Sequence, residues 1–308
     1  MTVETVTIDE RVPREDWRPG LTLGLILGHF ALFGVVAGVK GVIWAELIDA
    51  LAIGEGPFGT AQIASSLIST IVVLLYARLV VRTGVHAIAL GGLALMGIAI
   101  LWLAWAGSFL ALLLALAVLG AGSGLLDGAM IQGSVDWERA ARRARMNVIH
   151  SGFSVGAVVG AIAAGVALAL GASYVSILVA VAVVCMLALI ATVPLRYPPS
   201  APGGEVVAEK QGGDWRHVFG GSEIRALIAI ILLSIVVESV AFIWAVIYLR
   251  DELGASAFVG GASFALFNGT MFAGRIVNTP LVARFGQRTS LLASGAGVGL
   301  GGLLLIAA

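Results

Sequence analysis

Charge is scarce in this 308-residue chain: Asp, Glu, Lys and Arg make up 12% of it, and 18 basic residues balance 18 acidic ones. Soluble domains carry roughly a quarter charged residues, so a soluble fold is excluded. With no net charge there is no electrostatic pull on nucleic acid or on an acidic partner, and none is expected to bind. Cysteine is nearly absent. The single Cys185 lies within an apolar run, which rules out disulfides and cysteine-ligated metal clusters. No metal and no cofactor is expected. Residues 1–20 hold Glu4, Asp9, Arg11, Arg14, Glu15 and Arg18 but no apolar core, so they are a polar tail and not a signal peptide.

What the chain does have is apolar length: 59% of it is hydrophobic, and the mean hydropathy is +1.04. A hydrocarbon core of about 30 Å needs roughly 20 apolar residues per helix. That ruler predicts nine spans: 21–47, 57–80, 85–106, 108–132, 147–170, 172–194, 223–247, 257–280 and 287–307. Barrel strands would be about ten residues long with alternating polarity; these runs are twice that and apolar all round. The fold class is all-α, a polytopic membrane protein in the lipid bilayer.

Basic residues fix its expected orientation. All of the 18 Lys and Arg except Lys40 and Arg250 fall on one side: before span one, between two and three, between four and five, around the linker after six, and near the turn between eight and nine. The opposite loops carry Asp49, Glu55, Asp251 and Glu252. The N-terminus and the basic loops are therefore expected to be cytoplasmic, in a bacterial-type inner membrane.

The stretch from Gly120 to Gly160 concentrates three features. Gly120, Gly124 and Gly128 recur every four residues, as do Gly152, Gly156 and Gly160, and small residues at that spacing let helix backbones approach closely in lipid. Asp127 sits inside the first of these apolar runs, where an acid is costly unless it faces protein or water. Arg139, Arg142, Arg143 and Arg145 crowd the connection.

The long linker, 196–222, is rich in Pro, Gly and charge and reads as a flexible connector. A repeat crosses it. Val42-Ile43-Trp44-Ala45 echoes Phe242-Ile243-Trp244-Ala245, Pro57-Phe58-Gly59 echoes Phe258-Val259-Gly260, and Arg82-Thr83-Gly84 echoes Arg284-Phe285-Gly286, all at nearly one offset. Three echoes in order argue for two related halves: a six-helix half, 21–195, and a three-helix part of a second, 223–308.

On these residues the chain resembles the major facilitator superfamily of secondary transporters. The six-helix half, the cytoplasmic central loop and the Arg-x-Gly turns carry the resemblance. Gly124-Leu125-Leu126-Asp127-Gly128-Ala129-Met130 followed by His150-Ser151-Gly152-Phe153-Ser154-Val155-Gly156 is similar to a fucose-permease-like, sugar-permease branch. Two departures matter. The turn motif keeps Arg82 and Gly84, and Arg284 and Gly286, but Val81 and Ala283 stand where the family has its acid, so no acid-based gate latch is implied. The family also has twelve helices, so the resemblance implies a copy lacking the last three.

Few polar residues interrupt the spans. His29 and Lys40 lie in span one, Asp127 in span four, Glu238 in span seven, and Asn268 and Arg275 in span eight. The resemblance implies that spans one, four, seven and ten line a central cavity. At about 1.5 Å per residue, His29 and Asp127 lie about 12 Å in from the basic side, Glu238 about 21 Å and Lys40 about 29 Å. Two pairings are therefore expected, His29 with Asp127 and Lys40 with Glu238, with Glu238 as the site of a coupling proton. Blander roles stay open: a wet vestibule for Asp127, snorkelling for Lys40, simple packing for His29, and, in preference to a symmetric sugar-stacking platform, the interfacial aromatic belt for Trp44 and Trp244. Arg275 groups with the gate.

The expected function is secondary active transport of a small polar, sugar-like solute by alternating access, proton-coupled, as a monomer. Efflux of hydrophobic compounds asks for an aromatic, Met-rich cavity, and aromatics are only 7%; it and a non-transporting fragment are the alternatives. An intramembrane enzyme is not expected. Ala121-Gly122-Ser123-Gly124 misses the first Gly of a serine-protease motif, and the His-Glu-x-x-His of a metalloprotease is absent.

Overall fold

Proline at the first helical position opens the first helix, α1 (Pro19–Leu51), because its missing N–H is one the helix start could not use. A computed structural model describes residues 18–198 and 221–307. All but the last three residues of the expected tail, and most of the expected linker, lie outside these described residues; Pro19 and Gly20 of that tail already belong to α1. No strand occurs among them, and the predicted spans coincide with helices.

After α1 come α2 (Glu55–Ala104), α3 (Phe109–Ala141), α4 (Met146–Ala169) and α5 (Tyr174–Thr192). Beyond the linker follow α6 (Ser222–Ile243), α7 (Ala245–Asp251), α8 (Ala257–Phe285) and α9 (Gln287–Ala307). At 50 residues α2 would run about 75 Å, too long for one crossing. It breaks at Gly84, whose φ of 80° and ψ of 157° are open to glycine and not to a residue with a Cβ. Spans two and three are the parts on either side of that break. Span seven is α6 and α7 together, with an interruption at Trp244. Among the described residues seven helical stretches are long and apolar enough to cross a membrane. One of them holds spans two and three, which accounts for spans one to eight; α9 lies where the ninth was expected.

The turns fall on two faces. One, the basic face, holds the start of α1, Gly84, the Arg142–Arg145 turn and Gly286. The other, the acidic face, holds 52–54, 105–108, 170–173 and 252–256. Three of the four helices leaving the acidic face are capped alike: the hydroxyls of Ser108, Ser173 and Ser256 accept from the backbone N–H three residues on, while α2 starts at Gly54 without a side-chain cap. On the basic face Glu138 accepts from the backbone N–H of Arg145 and, at 2.6 Å, of Met146, so one carboxylate closes the arginine-rich turn and caps α4. Trp137 donates its indole N–H to the Pro19 carbonyl at 2.8 Å, tying α3 to the start of α1.

The two glycine ladders pack on different partners. Gly120, Gly124 and Gly128 lie against Ser65, Ser69 and Tyr76 of span two. Gly152, Gly156 and Gly160 lie against Leu27, Ala31 and Val35 of α1, which answers with Gly34 and Gly38 against Phe153 and Ala157. On its other side α4 meets α8, where Gly261 sits 2.9 Å from the Ala161 carbonyl measured from an added Cβ. Apart from Gly128, which meets the Tyr76 ring, these contacts bring backbone against backbone, so dispersion over close surfaces holds the bundle where lipid offers no hydrophobic drive. Gly156→Val should lose about 1–3 kcal/mol to overpacking and show a lowered melting midpoint in detergent. Gly28→Val, with nothing within 4 Å of its added Cβ, should melt like the parent. Equal midpoints would contradict the packing account.

Candidate functional site

A cavity of about 380 Å³ lies between spans one, two, four and seven. Span one contributes Phe33, Lys40 and Trp44. Span two contributes Gln62, Ser65, Ser66, Ser69 and Thr70, a polar strip whose members recur at three- and four-residue steps and so share one helix face. Span four adds Ser123 beside Leu119 and Gly120, and span seven adds Phe242 and Ile243. Close packing of Gly120 and Gly124 on span two is what brings Ser123 up to that strip.

Three of these hydroxyls are oriented. Ser65 donates to the Leu116 carbonyl at 2.7 Å, Ser66 to the Gln62 carbonyl at 3.0 Å and Thr70 to the Ser66 carbonyl at 2.9 Å. Their protons are thus engaged with backbone, and their lone pairs remain for other donors.

Two acids flank this cavity without lining it. Asp127 is one helical turn from Ser123, and Glu238 is one turn from Phe242. Spans four and seven run in opposite directions, so both acids lie about 6 Å from the cavity toward the basic face. Asp127 is half-buried and Glu238 exposed. The Glu238 carboxylate acts electrostatically on Arg275 of span eight, whose guanidinium donates to the Ser154 hydroxyl at 2.6 Å and the His150 carbonyl at 3.2 Å, both on α4. Arg275 therefore ties span eight to span five.

The expected pairings do not form. His29 is buried and bonded to Tyr197 Oη at 2.7 Å and Thr192 Oγ1 at 2.8 Å, so it faces span six and not Asp127. Two neutral hydroxyl partners satisfy both ring nitrogens, which removes any need for a carboxylate. Lys40 forms no ion pair with Glu238, and Glu238 does not line the cavity that holds Lys40. Asn268 is fully buried; its amide donates to the Phe264 carbonyl at 3.0 Å, and its carbonyl oxygen has no partner. Trp44 is buried against Phe58, not spread along a lipid interface.

At the turns Arg82 and Arg284 are exposed, and the Arg284 guanidinium stacks over Phe285 at 5.2 Å. Gly84 and Gly286 share one conformation, φ 80° with ψ 157° and ψ 160°. The repeated Arg-x-Gly letters thus correspond to a repeated backbone geometry.

Sequence reasoning missed the closure of the acidic-face end. Phe58 of span two is wedged edge-on between Trp44 at 5.2 Å and Trp244 at 6.0 Å. Beyond it Arg250 of α7 forms an ion pair with Glu46 of α1. At the other end α6 has no buried side chain among the described residues. The cavity is therefore plugged toward the acidic face and weakly walled along the basic-face half of span seven. The strip on span two had a signal, the spacing of Gln62, Ser65/Ser66 and Ser69/Thr70. The Glu46–Arg250 pair had none, because its members are 204 residues apart.

A multi-span all-α bundle with a polar central cavity and one plugged end defines a membrane protein of the facilitator type. The chain belongs to the Major Facilitator Superfamily, whose family model matches residues 25–308. It is 25% identical over 263 residues to an uncharacterized MFS-type transporter of Yersinia pestis, covering 83% of this chain and 66% of that protein. The crystal structure of the nucleoside transporter NupG is similar with a TM-score of 0.64 and 12% identity, over 88% of this chain and 69% of that one. At that identity the likeness concerns the fold alone. The chain spans 66% and 69% of the lengths of these two proteins.

Proposed function

We propose that the chain carries a small polar, sugar-like solute across the bilayer by alternating access, with a proton as coupling ion. The observation that supports this most is the cavity between spans one, two, four and seven: about 380 Å³, within the about 300–1,000 Å³ typical of small-molecule sites, with a hydroxyl strip and aromatic walls. In this reading 21–195 and 223–308 are the moving parts, 196–222 joins them, and the basic face is cytoplasmic. Glu46–Arg250 and the Trp44–Phe58–Trp244 stack form the outer gate, and the observed arrangement is the inward-facing one. Arg275, with Ser154 and His150, holds spans five and eight together while span seven moves; the Arg82-Gly84 and Arg284-Gly286 turns are the pivots on the cytoplasmic side. Glu238 and Asp127, one turn inward of the cavity, are the groups placed to exchange a proton with the cytoplasm as the solute leaves. The hydroxyl strip favours a polar solute over the hydrophobic compounds of an efflux carrier.

The test is counterflow. Proteoliposomes of the purified chain, preloaded with unlabelled solute, should transiently concentrate the same labelled solute from a panel of neutral sugars, sugar acids and nucleosides. Flux equal to that of protein-free liposomes for every member would refute the transport reading and favour a non-transporting fragment.

A further inference from the structure

Among the described residues that line the cavity, Lys40 is the one ionisable side chain; no carboxylate lines it. Neither a hydrogen bond nor a charged partner reaches Lys40 from the described residues. The acids nearby are accounted for: Glu46 pairs with Arg250, Glu238 acts on Arg275, and Asp127 lies a turn beyond Ser123. Lys40 is half-buried at the cavity wall; an ammonium inside a membrane span without a counter-ion is costly, and such groups are found against partners or substrates. The missing partner would have to enter the cavity from outside.

The remaining lining defines the rest of that partner. Ser65, Ser66 and Thr70 already donate to backbone carbonyls, so they present acceptor lone pairs to the cavity. These three favour a solute with O–H or N–H donors, while the Gln62 amide and the Ser69 and Ser123 hydroxyls of the same lining can donate to its oxygens. Trp44 and Phe242 offer flat apolar surface for its C–H face. One lysine balances one negative charge, which fits a carboxylate better than a phosphate dianion.

We infer that the cavity is built for a small hydroxylated monocarboxylate, a sugar acid or similar hydroxy acid, with its carboxylate on Lys40 and its hydroxyls along span two. This inference rests on the transport reading above and names the substrate class for the same cavity.

The experiment pairs each acid with its neutral parent: gluconate with glucose, and galacturonate with galactose. In proteoliposomes of the full chain, counterflow is expected for at least one acid and at least tenfold less for its parent. Lys40→Gln should lower that flux at least tenfold, and Lys40→Arg should keep most of it. Counterflow of a neutral sugar without its acid, or of an acid unchanged by Lys40→Gln, overturns the inference while leaving transport standing. If no solute moves, melting of the detergent-solubilised chain decides. A rise with the acid that the parent sugar and the Lys40→Gln variant both fail to give supports the anion site although transport falls. No rise with either acid overturns the inference too.

Discussion

Glu238→Gln is expected to abolish accumulation driven by a pH gradient while solute-for-solute exchange continues. Glu238 lies one turn from Phe242 on the basic-face side of the cavity, is exposed, and acts electrostatically on the positive Arg275. Glutamine keeps the shape and can still accept a hydrogen bond, but it cannot take up and release a proton. A gradient of one pH unit stores about 1.4 kcal/mol per proton, enough for about tenfold accumulation. The variant should therefore fall from about tenfold to simple equilibration, with exchange rates near those of the parent. Undiminished accumulation would remove Glu238 from the proton path and leave Asp127 as the candidate, to be examined through Asp127→Asn.

The second large effect is expected at the acidic-face end, proposed above as the outer gate. Arg250 and Glu46 are each mostly buried, with side-chain exposures of 19% and 23%. Exposed ion pairs contribute about 0–1 kcal/mol, whereas removing one member of a buried pair costs about 3–5 kcal/mol. Glu46→Arg places two cations where one pair stood, so the acidic-face end should no longer close over Phe58. Counterflow should drop at least tenfold, and the exchanged pair Glu46→Arg with Arg250→Glu should recover most of it. Failure of the exchanged pair to recover, with normal folding, would show that the contact supports structure and not gating.

How much of this was legible beforehand depends on the distance over which each signal acts. Span limits were readable because hydrophobic length is local, and the break at Gly84 was marked by its Arg-x-Gly letters. The acidic and basic loops were readable because charge is excluded from lipid. Partners of the buried polar groups were not. Depth alone pairs His29 with Asp127, yet depth leaves the angle around the helix axis open; Tyr197, 168 residues away, takes that bond instead. Trp44 was weighed as a lipid-facing residue because it lies near a helix end, whereas the neighbouring Phe58 draws it into the bundle. The span-two strip escaped notice for a different reason. Serine and threonine are cheap in membrane helices, where they bond to their own backbone as Ser66 and Thr70 do. Their meaning emerges only when Lys40 is seen across the same cavity.

The central claim is a solute cavity between spans one, two, four and seven that opens alternately to the two faces. Thiol labelling from each side tests it most directly. Ser66 lines the cavity and is exposed, and the native Cys185 is buried, so Ser66→Cys in a Cys185→Ser background gives one reporter. With a membrane-impermeant maleimide, the account predicts labelling from the basic face in the absence of solute. It also predicts slower labelling when a transported solute occupies the cavity, and faster labelling from the basic face than from the acidic face. Labelling equal from both faces, and indifferent to every solute that shows counterflow, would contradict it.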